Sequence, residues 1–207
     1  MLLLIPLTLG LLLATLIWRQ RLRGRRAAFI DDYRFPPNIV HKVRDRYPHL
    51  DDGQLELVME GLRHYLHLCH GAGRRMVAMP SQAVDLAWHE FILYTRNYQH
   101  FCRRALGRFL HHTPAEAMQS PTSAQDGIKT AWRLACHREG LDPKAPSRLP
   151  LLFALDAELA IEDGFHYQLD CRRHPGGGYC ASHIGCGGDG GSSCGGDSGC
   201  GGGCGGD

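Results

Sequence analysis

The stretch SQAVDLAWHEFILYTRNYQHFCRRALG, residues 81–107, carries the strongest pattern in the chain. Val84, Trp88, Phe91, Thr95, Tyr98, Cys102 and Ala105 follow one another in steps of four and three, which stacks them along one face of an α-helix. Ser81 stands where a hydroxyl can accept the first free amide of that helix. Gly107 stands where a helix can turn out through the left-handed region. One helix, buried along one side, is expected.

The flanks read the same way. Pro36-Pro37 opens a short helix to about Arg46 with Ile39, Val40 and Val43 as a narrow apolar stripe, and Pro48 ends it. Asp51 or Asp52 caps the next helix, in which Leu55, Val58, Met59, Leu62, Tyr65, Leu66 and Cys69 form one buried face up to Gly71-Ala72-Gly73. Downstream, Pro114 can start another turn. Residues 127–138 turn Ile128, Ala131, Trp132 and Ala135 inward before Gly140, and the apolar run Leu149 to Ile161 is helical from Pro150 to about Ala160. Period-two alternation is weak throughout, and Phe165 to Leu169 is the one candidate strand. The expected class is all-α, a small helical bundle over residues 36–174.

Residues 1–18, MLLLIPLTLGLLLATLIW, contain no charge. As a helix they reach roughly 27 Å, close to a hydrocarbon core of about 30 Å. No basic residue precedes the run, and Thr15-Leu16-Ile17-Trp18 is a poor cleavage site, so a signal peptide fits less well than a retained anchor. The expectation is a transmembrane helix over 1–18 and a basic juxtamembrane linker over 19–35. The arginines from Arg19 to Arg26 then set a single-pass topology in a bacterial inner membrane, with the N-terminus out and the body in the cytoplasm. They also suit anionic headgroups, so membrane lipid is the expected partner of residues 1–26. With a net charge of +2, no nucleic-acid partner is expected. Cysteines in a reducing compartment stay thiols.

Thirteen histidines supply the candidate chemistry. His64, His67 and His70 lie three apart on the expected exposed flank of their helix, where two neighbours can grip a divalent ion or simply form a polar face. Asp85 and His89 are four apart, so the carboxylate can orient the imidazole. His89-Glu90 begins like the zincin motif, but Leu93 stands where its second histidine belongs, which excludes that metalloprotease class. A soft-metal set of His89, Cys102, His111 and His112 becomes possible if the loop after Gly107 folds back. The competing reading makes His89 a buried structural histidine bonded to Asp85.

From Gly176 onward half of the residues are glycine, and Lys and Arg are absent. Such a segment cannot bury enough apolar surface to order itself, so residues 175–207 are expected to be disordered. Cys180, Cys186, Cys194, Cys200 and Cys204, with Cys171 just before them, can wrap a zinc-like or other soft ion. Their spacing contains no C-x-x-C, so the pattern is not a zinc finger. A low-complexity tract without a metal is the alternative.

The blocks Met79-Pro80-Ser81, Val84-Asp85-x-x-Trp88-His89, Tyr98-x-x-x-Cys102, Leu106-Gly107 and His111-His112-x-Pro114, with a looser Thr130-x-Trp132, resemble the glycine-rich-domain protein family. That family is known from plants and from bacterial membrane proteins with Gly/Cys tails. The resemblance covers about residues 36–170. It implies fold and layout and brings no enzymatic activity. Two functions are expected from the whole reading. The first is a membrane-tethered binding or scaffold module, not an enzyme, that docks a protein partner and carries a thiol-rich tail. The second is a metal-binding or redox protein using the Trp-His region, the tail cysteines, or both.

Overall fold

A computed structural model describes residues 4–112, 121–169, 179, 180 and 184, with the side chains of residues 4–7, 121–124, 179 and 180 excepted. The helices are α1 (Leu4–Asp32), α2 (Asn38–Arg46), α3 (Asp52–Ala72), α4 (Gln82–Leu93), α5 (Thr95–Phe101), α6 (Pro121–Arg138) and α7 (Leu151–Glu158). A π-helical turn, Cys102–Leu106, follows α5 directly. Two short strands, β1 (Tyr167–Gln168) and β2 (Tyr179–Cys180), pair in parallel. Among the described residues the body is therefore helical apart from this one pair.

No helix among the described residues is long and apolar enough to cross a membrane. This corrects both the transmembrane anchor expected over residues 1–18 and the single-pass inner-membrane topology built on it. The cause is the make-up of α1. Among the described residues its apolar stretch is interrupted by Pro6, Thr8, Gly10 and Thr15 and is followed at once by Arg19 and Arg21. The helix then continues unbroken through Arg19, Arg21, Arg23, Arg25 and Arg26 to Asp32. The segment expected as a basic linker is thus the second half of one rod, and its end belongs to the body. Ile30 is fully buried. Arg63 of α3 caps the end of α1 by donating to the carbonyls of Ile30 and, at 3.0 Å, Tyr33. Phe29, Tyr33 and Phe35 join Phe91 and Phe101 in a set of tilted and edge-to-face rings.

The central element is α3, which packs against α1, α2, α4, α6 and α7. It starts at a capping box: the Asp51 carboxylate accepts from the Gln54 amide at 2.7 Å, and the Gln54 side chain accepts from the Asp51 amide at 3.0 Å. It stops at Gly73, whose φ of 65° suits glycine. Gly61 lets α4 and α7 come close, since a methyl group there would stand 2.7 Å from Val84 and 2.8 Å from Leu155.

The expected single helix over 81–107 is broken at Tyr94, whose ψ of 59° is not helical. Thr95 is exposed as a result, while Val84, Trp88, Phe91, Tyr98, Cys102 and Ala105 keep to the buried side. Gly107 ends the π-helical turn in the left-handed region at φ 70°. The Arg26 guanidinium of α1 occupies the space a side chain at Gly107 would need and donates to the Leu106 carbonyl at 3.3 Å.

Candidate functional site

Asp85 lies in the first turn of α4, and its helix start is fixed from two sides. Ser81 Oγ accepts from the Val84 amide at 3.2 Å and donates to the buried Asp156 carboxylate of α7 at 2.6 Å. Asp156 also accepts from the amides of Gln82 at 2.7 Å and Ala83 at 3.3 Å. A carboxylate placed against the free amides of a helix N-terminus is favourable in both charge and hydrogen bonding.

One turn after Asp85, His89 Nδ1 lies 3.0 Å from the Asp85 carbonyl and 3.2 Å from Asp85 Oδ2. The segment after Gly107 returns across α4 and brings His112 Nε2 to 3.4 Å from Asp85 Oδ1. The two imidazole rings stand 4.0 Å apart, and the Trp88 ring meets the edge of His112 at 4.8 Å. One donor atom from each of Asp85, His89 and His112 lies within 4.8 Å of the other two. Side-chain exposure is 23% for Asp85, 18% for His112 and 47% for His89, so the cluster has a wall and an open side.

A buried chain of bonds holds the returning segment. Trp88 Nε1 donates to Tyr98 Oη at 3.2 Å, and Tyr98 Oη donates to the Leu110 carbonyl at 2.6 Å. Leu110 is two residues before His112, so Tyr98 fixes the segment that carries His112. We expect Tyr98→Phe to destabilise the fold by about 1–3 kcal/mol, because the buried Trp88 donor and Leu110 acceptor lose their partner. If the cluster holds a metal ion, its affinity should also fall about tenfold, as on loss of an orienting group. A denaturant melt and a metal titration on the same variant check both.

The other expected candidates fall elsewhere. Cys102 is fully buried in contact with Tyr98, and burial pushes its thiol above the ordinary value. Cys69 is likewise buried, its thiol pushed up to about 12. Both behave as core residues, not thiolate ligands. His111 is exposed and rests against Phe109 at 4.8 Å. The donor set of two imidazoles and one carboxylate is thus harder than the soft set expected from sequence. Cys171, Cys186, Cys194, Cys200 and Cys204 lie outside the described residues, as does Pro114; Cys180 belongs to β2.

His64, His67 and His70 are not an exposed flank. His67 is buried and donates to Asp31 of α1 at 2.6 Å, His70 Nδ1 lies 3.1 Å from the Ala105 carbonyl, and His64 lies 3.3 Å from Glu60. His67 and His70 tie α3 to its neighbours, whereas His64 pairs within α3 itself. Desolvation holds all three below the ordinary histidine value, and Arg138 adds to it at His64 and His67. The unfolded chain therefore takes up protons first as pH falls below about 6.5, and the fold loses stability there. Thermal melts stepped from neutral to mildly acidic pH should show a falling midpoint, with a smaller fall in His67→Gln.

A model of the UCP032817-like family matches residues 25–187, more than half of the chain. No curated protein and no solved structure matches it.

Proposed function

The chain belongs to the UCP032817-like family, and on that premise we propose that Asp85, His89 and His112 bind one divalent transition-metal ion. The observation that carries this reading is the convergence of three donors from two segments 23 or more residues apart, His112 against the Asp85–His89 turn. A metal–ligand bond of about 2.1 Å places neighbouring donors about 3.0–3.5 Å apart. The 3.2 Å and 3.4 Å separations to Asp85 already fall in that range. Two imidazoles and a carboxylate favour zinc, iron, cobalt or nickel over calcium or magnesium. Three protein ligands with one open side leave room for water or a substrate oxygen, which such an ion would polarise.

Within this reading Asp85 supplies the negative charge, the imidazoles supply nitrogen, and Trp88 and Tyr98 fix His112 through packing and the Leu110 carbonyl. Titration of the full chain with cobalt(II), after its accessible cysteines are blocked by iodoacetamide, tests it. A visible spectrum that saturates at one equivalent, and is lost in His112→Ala, is the expected result. Failure to take up cobalt would leave Asp85, His89 and His112 as an ion-paired surface cluster and favour the scaffold function.

A further inference from the structure

We propose that the apolar end of α1 inserts into one leaflet of an anionic lipid bilayer without crossing it. Every residue from Thr8 to Arg21 is exposed, including Leu9, Leu11, Leu12, Leu13, Leu16, Ile17 and Trp18. A contiguous apolar surface of this kind marks an interaction site. The identity of its occupant follows from two features of the helix.

First, the apolar side chains surround the helix. Leu11, Leu12 and Leu13 are consecutive, and successive residues point about 100° apart, so no polar face remains. A second copy of the chain would cover one stripe and leave the rest in water, as paired helices do. A hydrocarbon medium covers all sides. Second, the apolar part is followed by Arg19, Arg21 and Arg25, all exposed and in no ion pair among the described residues. Such a collar complements anionic headgroups. Trp18 sits between the two zones, where an amphipathic ring prefers the interface.

The length sets the depth. The apolar part is longer than the roughly 15 Å of one leaflet's hydrocarbon, and no described helix is long and apolar enough to cross both leaflets. An oblique insertion buries the apolar part and leaves the arginines among headgroups. The far end of α1, fixed by Arg26, Ile30 and Arg63, then holds the body at the surface. This inference stands independently of the metal site.

Flotation of the full chain with phosphatidylcholine vesicles, with and without phosphatidylserine, tests it. The chain should float with the mixed vesicles, and a membrane-impermeant amine label enclosed in them should leave it unmodified. Leu12→Glu with Leu16→Glu should abolish flotation while leaving the thermal melt unchanged, because both side chains are in solvent. Arg19, Arg21 and Arg25 exchanged for Gln should weaken partition to the mixed vesicles by about fivefold per arginine, from roughly 1 kcal/mol each. Partition to phosphatidylcholine alone should not change. A chain that stays unbound with mixed vesicles, or floats despite the two glutamates, overturns the proposal. So does a lipid-free dimer that the two glutamates dissolve, which would make a second copy the occupant. Modification by the enclosed label overturns the single-leaflet depth.

Discussion

Asp156→Ala is expected to lower the unfolding free energy by about 3–5 kcal/mol, because four donors lose their common buried acceptor. The carboxylate is 1% exposed and accepts from Ser81 Oγ, from the amides of Gln82 and Ala83, and from the Phe165 amide at 2.9 Å. Alanine strands these four donors in a region with little room for water, since a side chain at Gly164 would already meet Asp156 Cβ at 2.7 Å. Each stranded donor costs about 1–3 kcal/mol before relaxation. Asp156→Asn keeps the shape but turns an NH2 group toward donors, so it should lie between alanine and the native residue. Urea melts of the three proteins check the order; a loss below about 1 kcal/mol for alanine would show that α4 starts without this anchor. Because Asp85 is in the first turn of α4, the alanine variant should also lose metal uptake.

The second large effect concerns the ligands themselves. His89→Ala and His112→Ala should each lower cobalt affinity by more than about 100-fold, beyond the 10–100-fold produced by losing a group that only orients a ligand. Asp85→Asn keeps an oxygen donor but removes the charge, so its loss should be smaller than that of either histidine. His111→Ala and Cys102→Ala provide the contrast. His111 faces Phe109, and Cys102 sits in the core beside Tyr98, so both variants should keep the native affinity. A calorimetric titration of the five variants separates a defined three-residue site from diffuse binding by many histidines.

Much of the fold was legible along the chain because its signals are local. The 3-4 spacing of Leu55 to Cys69 and of Val84 to Ala105 marked the buried faces, and Asp51, Ser81, Gly73, Gly107 and Gly140 marked ends that the structure uses. The break at Tyr94 was not legible, because the apolar spacing continues across it. The fate of residues 19–35 was also hidden. Five arginines read as a solvated linker, yet Arg26 packs under Gly107 and Ile30 enters the core, both through contacts distant in sequence. The apolar run before them suggested a membrane span, but no helix among the described residues is long and apolar enough to be one.

The site was half legible. Asp85 and His89 are one helical turn apart, so their meeting is written in the spacing. That His112 and not His111 joins them depends on the Tyr98–Leu110 bond, which sets the direction of the returning segment. Cys102 looked like a ligand by residue type and proximity in sequence. The π-helical turn that begins at it keeps the thiol inside.

X-ray absorption at the zinc edge, on the cysteine-blocked full chain loaded with one equivalent of zinc, tests the metal site most directly. The expected spectrum has a nitrogen and oxygen shell at about 2.0–2.2 Å, with the multiple scattering of two imidazoles and no sulfur. In His112→Ala the imidazole contribution should fall by half or the metal should be lost. A sulfur shell near 2.3 Å, or a spectrum that His112→Ala leaves unchanged, would contradict a site built from Asp85, His89 and His112.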